Sequence, residues 1–280
     1  MKKVFLVLLI LSIFSVNAYA VDINDWMRGD GSDVIKGTTV PSDLDTVTQN
    51  YLQDPLDRLL TETKNGCALS YTSANVVTIA VGEVACYNST KTIKRFRRNT
   101  ATTTVDLSAA GVGGLDTGSE AASTWYYIYA VADAEATTFT VIASASATAP
   151  TGITYFRLIG AILNDGSSDI LRFNQRGKRV YWDAAIRELT AGASAGYADI
   201  NCASSIPTNA RLGIFIVEQP SSAQSIYVRC NGNSGDSIII NRGECIVVFE
   251  CPTDASQIIE YKVTANTVDR IDCLGFEYDD

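Results

Sequence analysis

Between Gly114 and Trp182 the chain sets runs of Tyr, Ile, Val, Phe and Thr between short clusters of Gly, Asp, Asn, Ser or Pro. β-Branched and aromatic side chains suit a pleated, half-buried surface. The interrupting residues are those that turn a backbone, so the alternation commits this stretch to antiparallel strands. In the first run, Trp125, Tyr127, Tyr129 and Val131 fall on one face and Tyr126, Ile128, Ala130 and Ala132 on the other. Apolar on both faces, this strand is predicted to be covered from both sides. Strands are expected again over 137–144, 153–163, 169–175 and 178–182. Asn164-Asp165-Gly166-Ser167-Ser168 is their hairpin loop; its oxygen-rich side chains lack the spacing and the distal bidentate Glu of a calcium loop.

The same reading extends in both directions. Upstream, 67–72, 75–81, 83–88 and 92–98 read as short strands. Downstream, strands are expected near 197–202, 211–219, 225–231, 237–241, 244–251, 257–264 and 269–277, a spacing that suggests a sandwich. Ahead of them all, Met1-Lys2-Lys3, the apolar run Val4 to Phe14 and Ala18-Tyr19-Ala20 form the charged start, apolar centre and cleavage signal of a secretory leader. That apolar run is too short for a membrane span, which takes about 20 residues. Residues 21–40 are polar and Gly-rich and read as an extended arm, in which Arg28-Gly29-Asp30 is a turn-forming triplet. From Ser42, a good N-cap, Leu44, Val47, Tyr51, Leu52, Leu56, Leu59 and Leu60 recur every three or four positions. They predict a helix that Pro55 kinks or splits and Asn65-Gly66 ends, either packed on the sheet or serving as an oligomerisation seam. The expected organisation is a leader (1–20), an arm and helix (21–66), a β-sheet module (67–182) and a C-terminal β-sandwich (183–280). The fold class is mainly β, with an N-terminal arm and helix followed by two antiparallel β-sandwich-like domains.

No histidine occurs among the 280 residues. A Ser-His-Asp triad, a Cys-His pair, a His-ligated metal and an imidazole shuttle are therefore impossible within this chain. There is no Cys-x-x-Cys, so no zinc or redox motif is assigned. Gly111-Val112-Gly113-Gly114 is no phosphate cradle, because no Lys-Ser/Thr follows and a strand comes next. Carboxylate-pair glycoside hydrolysis survives, since it needs only two acids a few ångströms apart. With 31 Asp and Glu residues the sequence offers no way to choose such a pair. The reading is of a non-catalytic protein with no catalytic residue, no metal site and no cofactor. Its 22 basic side chains leave a net charge of −9, more negative still once Lys2 and Lys3 leave with the leader. Such a surface repels phosphate backbones and anionic lipid, so neither nucleic acid nor membrane is an expected partner of the mature chain.

Two groups of side chains invite a closer look. Lys94-Arg95-Phe96-Arg97-Arg98 is the one basic cluster, and on a strand Lys94, Phe96 and Arg98 face one way, Arg95 and Arg97 the other. Charge on both faces suits a protruding edge strand guarded against edge-to-edge pairing. The functional alternative is a patch of Lys94, Arg95, Arg97 and Arg98 for an anionic glycan or phosphate. The seven cysteines of an exported chain are expected to form disulfides. Cys67 and Cys86, alone in their module, are the expected pair. Cys245 and Cys251 would lie roughly 20 Å apart on one straight strand, too far to bond each other. Five cysteines in the C-terminal half leave an odd thiol whose pairing stays open.

Gly114-Leu115-Asp116-Thr117-Gly118-Ser119, Trp125-Tyr126-Tyr127-Ile128-Tyr129, Arg157-Leu158-Ile159-Gly160-Ala161, Asp165-Gly166-Ser167, Phe173 with Gln175, and Val180-Tyr181-Trp182 together resemble the β-rich modules of bacteriophage tail-fibre, head-fibre and related virion appendage proteins. Gly29-Asp30-Gly31, Asn50-Tyr51 and Asp54-Pro55-Leu56-Asp57-Arg58-Leu59-Leu60 are similar to the segment that precedes that module. Ala198-Asp199-Ile200, Ile206-Pro207 and Ala210-Arg211 are similar to the start of the domain that follows it. The resemblance implies a structural or receptor-binding role in adhesion, often as a homotrimer. The implied partners are the chain itself, a cell-surface glycan or another virion protein, and there is no catalytic residue to carry over. The leader departs from that family, whose members assemble in the cytoplasm. The expectation is an exported protein, extracellular, on the cell surface or virion-associated. The alternative is a secreted carbohydrate-binding or carboxylate-pair carbohydrate-active protein.

Overall fold

The computed structural model describes residues 64–132, 137–219, 225–235, 238–240, 245–264 and 268–278. The expected leader and arm, and all but the end of the expected helix, lie outside the described residues. Among those described there are eighteen strands and no helix. In chain order they are β1 (Lys64–Gly66), β2 (Leu69–Tyr71), β3 (Val76–Ile79), β4 (Gly82–Tyr87), β5 (Lys94–Asn99), β6 (Thr103–Asp106), β7 (Trp125–Val131), β8 (Thr140–Ser144) and β9 (Phe156–Leu163). Then follow β10 (Phe173–Arg176), β11 (Arg179–Gly192), β12 (Ala198–Asn201), β13 (Ala210–Gln219), β14 (Ile226–Cys230), β15 (Ile238–Ile240), β16 (Cys245–Pro252), β17 (Ile258–Val263) and β18 (Val268–Tyr278). Asn65 and Gly66 were expected to end a helix; they lie instead in β1. Gly66, at a φ of 73°, turns the chain where an added Cβ would lie 2.3 Å from the Val81 carbonyl oxygen. Only glycine tolerates both demands.

The strands form three antiparallel sheets. A six-stranded sheet runs β1-β4-β9-β7-β8, with β5 on β4; an eight-stranded sheet runs β16-β13-β18-β11-β10-β2-β3-β6; a four-stranded sheet runs β12-β17-β14-β15. In β7 the six residues Tyr126–Val131 are all buried, as its two apolar faces demand. β17 shows the other pattern, with Ile259, Tyr261 and Val263 inward. The long strand β11 runs through the boundary expected between Trp182 and Asp183. The eight-stranded sheet thus takes β2, β3, β6 and β10 from one side of that boundary and β13, β16 and β18 from the other. Residues 183–192, with three alanines and the helix-favouring Arg187-Glu188-Leu189, carry little strand propensity of their own. Pairing with β18 holds them extended, through register shifts between Tyr181 and Ile186 and between Arg187 and Leu189.

Aromatic packing ties the six- and eight-stranded sheets together. Trp125 of β7 lies 5.9 Å from Trp182 of β11 and 6.0 Å from Phe276 of β18, centroid to centroid. The buried Tyr278 hydroxyl accepts from Ala161 N (2.8 Å) and donates to Ala161 O (3.1 Å), closing both main-chain groups of one β9 residue. Every described residue falls in one compact unit, Pro55–Asp280. The six-stranded sheet also bends so that its two ends meet. Arg98 N donates to Thr137 O, and the Asn99 side chain both accepts from Phe139 N (3.1 Å) and donates to Phe139 O (2.9 Å), which joins the end of β5 to the approach to β8.

Candidate functional site

That closure divides the basic cluster. β5 pairs with β4 in a register that sets Lys94 opposite Tyr87, Arg95 opposite Cys86, Arg97 opposite Val84 and Arg98 opposite Glu83. Alternation then sends Arg98 to one side, where its Nε meets Glu83 at 3.3 Å beside a cavity of about 420 Å³ lined by Asn65, Gly66, Val81 and Asn99. Arg97 donates from Nη1 to the Phe96 carbonyl (2.8 Å). Arg95 points into a second cavity. Lys94, Arg95, Arg97 and Arg98 therefore do not make one continuous patch: alternation puts Lys94 and Arg98 on one face of the strand and Arg95 and Arg97 on the other.

The Arg95 cavity, about 360 Å³, lies where β7 ends and β8 and β9 begin. Val112, Val131, Ala132 and Ile153 give it apolar walls, and Thr140 and Thr154 bring hydroxyls that no described hydrogen bond uses. Tyr155 is fixed by its carbonyl, which accepts from Ala132 N at 3.0 Å. The Arg95 guanidinium lies 3.8 Å from the centroid of the Tyr155 ring, a stacked cation–π contact. Its Nη1 is shut off from water and has no hydrogen-bond partner, and Arg95 makes no ion pair among the described residues. The Gly-rich loop contributes more than a connection. Gly113, at a φ of 84°, lets it fold along β8, with Gly113 N donating to Val141 O and Ala143 N to Gly114 O, and this sets Val112 on the cavity rim. Asp116 anchors the facing loop, accepting from Thr151 N at 2.7 Å and Thr117 N at 2.7 Å. Burial would raise its pKa, but the hydrogen bonds from Thr151, Ser144 and Thr117 outweigh that and hold it below the usual value.

Burial pushes the Cys86 thiol, directly across from Arg95, up to about 12, and Arg97 and Arg157 pull it partly back. Arg157 itself sits over the Tyr87 ring at 5.5 Å.

The cysteines depart from expectation. Cys67, Cys86, Cys202, Cys230, Cys251 and Cys273 are all free thiols. Cys67 meets its neighbouring strand at Val81–Gly82, four residues or more before Cys86. That is farther along the strand than a disulfide's Cα–Cα span of about 7 Å allows. The expected Cys67–Cys86 bond is not formed; Cys86 Sγ donates instead to Ala130 O (3.6 Å). Among the described residues no group of three or more Cys, Asp or Glu side chains could hold a metal ion. The Asn164–Ser168 loop is a turn, with Asp165 Oδ1 accepting from Ser167 N and Asp169 N.

One titratable group had no signal in the sequence. Glu188 is the extra residue between Arg187, opposite Asp272, and Leu189, opposite Ile271. A bulge of this kind re-aims a side chain. Burial raises the Glu188 carboxyl to about 7, against the hydrogen bonds from Ser205 and Ser204 and together with the charge of Asp272. One of its oxygens, Oε1, has no partner. Asp272 is ion-paired with Arg187 and lies 3.7 Å from Arg270. A third cavity, about 200 Å³ between Leu171, Arg172, Trp182, Asp183 and Ala184, brings in a single acid.

Arg95 was singled out by its cluster, but its companions Tyr155, Thr140, Thr154 and Val112 come from other strands and loops. No local pattern could have joined them. Comparison with known proteins gives no match, either to a family model or to a curated sequence.

Proposed function

We propose that the mature chain is an exported, non-catalytic adhesion or assembly protein of the phage-fibre-like kind, acting through its surfaces. On this reading residues 21–63, where the sequence predicts an arm and helix, gather copies into a homo-oligomer such as a trimer. The eight-stranded sheet is then the shared layer of two sandwich-like halves, one faced by the six-stranded sheet and the other by the four-stranded one. The observation that carries the reading is the Arg95 cavity. It offers a cation, hydroxyls and apolar walls, which recognise a ligand, and among the described residues that line it there is no acid and no thiol. The test is to purify the mature protein, confirm that it begins at Val21, measure its mass in solution and assay its adhesion to cells and to an array of surface glycans. An oligomer that adheres supports the proposal; a monomer that binds no surface overturns it.

A second reading, of a carboxylate-pair carbohydrate-active protein, is favoured by Glu188 and Asp272. Burial favours the neutral form of Glu188, and Asp272 is ion-paired with Arg187, the kind of acid pair such chemistry uses. Against it, neither lines any of the three cavities described. Hydrolysis of a panel of aryl glycosides that Glu188→Gln abolishes would establish this reading over the first.

A further inference from the structure

We infer that the Arg95 cavity binds the carboxylate of an acidic monosaccharide carried at the end of a surface glycan. This rests on the adhesion reading and names its ligand. Stacking on Tyr155 occupies a face of the guanidinium and leaves the N–H edges for an acceptor in its own plane, the geometry a carboxylate matches. Nη1 is closed off from the cavity, so the oxyanion meets the guanidinium at Nε and Nη2, which no described hydrogen bond uses. Among the described residues that line it, Arg95 is the one charged group, and one guanidinium matches a carboxylate monoanion better than a phosphate dianion. The rest of the lining argues for a sugar over a bare ion. Thr140 and Thr154 present hydroxyls to polar ring substituents, while Val112, Val131, Ala132 and Ile153 meet the C–H face of a ring. At about 360 Å³ the cavity stands at the low end of small-molecule sites, which run from about 300 to 1,000 Å³. It accommodates one residue of a glycan and leaves the remainder outside.

The experiment titrates the full mature protein, by calorimetry or saturation-transfer NMR, with methyl glucuronide and methyl sialoside. Methyl glucoside is the neutral control and inorganic sulfate the bare anion. One acidic glycoside should bind with a dissociation constant on the order of 0.1–10 mM, as expected of a single-charge site. The neutral glycoside should bind at least about tenfold more weakly, and added salt should weaken the acidic one. Arg95→Gln should lose about tenfold or more, and Thr154→Trp, which blocks the mouth from an exposed position and leaves Arg95 in place, should do the same if Arg95→Gln fails to fold. No binding of either acidic glycoside, unchanged affinity in a folded Thr154→Trp, or sulfate binding as tightly as the glycosides overturns the inference. A wild-type protein that adheres to cells but ignores both glycosides removes this ligand and leaves adhesion standing. One that binds a free glycoside yet adheres to nothing keeps the site and removes adhesion.

Discussion

Glu188 gives the sharpest test of the energetics, because its bulge places an ionisable group where the fold disfavours its charge. Its carboxyl rises from an ordinary 4.5 to about 7, with burial as the main cause. Below about pH 4.5 the folded and unfolded chains both hold the proton and no penalty arises. Between about 4.5 and 7 the unfolded chain releases its proton first, so stability falls as pH rises; above about 7 the whole penalty is present. A shift of this size at 1.36 kcal/mol per unit sets an upper bound of about 3 kcal/mol, and the exposure Glu188 retains reduces it to about 1–3 kcal/mol. Glu188→Gln keeps a polar side chain of the same shape beside Ser204 and Ser205 and cannot ionise. Thermal melts of both proteins across about pH 4.5–8.5 should show equal or slightly lower stability for the variant at the acid end. At the alkaline end the variant should melt about 2–12 °C higher, from roughly 2–4 °C per kcal/mol for a chain of this size. Parallel pH profiles for the two proteins would refute the reasoning, since they would mean that the carboxyl ionises in the fold without penalty.

Other consequences follow from packing. Gly275→Ala would place a Cβ 2.0 Å from the Val180 carbonyl oxygen in the pairing of β11 with β18, and because the obstacle is backbone neither side can give. Loss of about 3 kcal/mol or more is expected, read as insoluble expression or a collapsed melting temperature. Tyr278→Phe removes two hydrogen bonds to Ala161 and leaves that residue's N–H and C=O buried together, so denaturant unfolding should show a loss of about 1–3 kcal/mol with the fold retained. Burial raises the Cys67 thiol to about 11 and Cys86, Cys251 and Cys273 to about 12. Of the six described thiols, half-buried Cys230 should therefore react first with a maleimide at neutral pH, the others only on unfolding, and a non-reducing peptide map should show no Cys67–Cys86 link.

Much of the β architecture was legible in the sequence because period-two alternation is a local signal. Each of the seven strands expected after residue 196 has its counterpart in β12–β18, and β7 is buried on both faces as its composition demanded. Thr103–Asp106 escaped notice: its Thr run resembles a polar loop, and only pairing with β3 makes it a strand. The length of β11 escaped for the opposite reason, since Ala184, Ala185, Glu188 and Leu189 favour a helix in isolation and a sheet neighbour decides against it. The cysteines show how far compartment-based reasoning reaches. An export leader argues for bridges, but whether two thiols can meet depends on register, and Cys67 meets its neighbouring strand four residues or more short of Cys86.

The site itself lies at the boundary of what sequence can say. The motif KRFRR marks a place on the chain, and alternation along β5 already implies that Arg95 and Arg98 face different ways. What turns Arg95 from a surface charge into part of a cavity is closure of the six-stranded sheet. Asn99 clasps both main-chain groups of Phe139 and so draws β5 against the approach to β8. The residue just before β9, sixty positions beyond Arg95, then supplies the Tyr155 ring against the guanidinium. Asn99→Ala would thus do more than remove two hydrogen bonds at a strand end. By loosening the seam it should unseat Arg95 from its cavity, and acidic-glycoside binding should weaken even though Asn99 does not line that cavity. If binding is instead unchanged while stability falls, the seam supports only the fold, and the Arg95–Tyr155 pair holds its geometry through β4 and β9 alone.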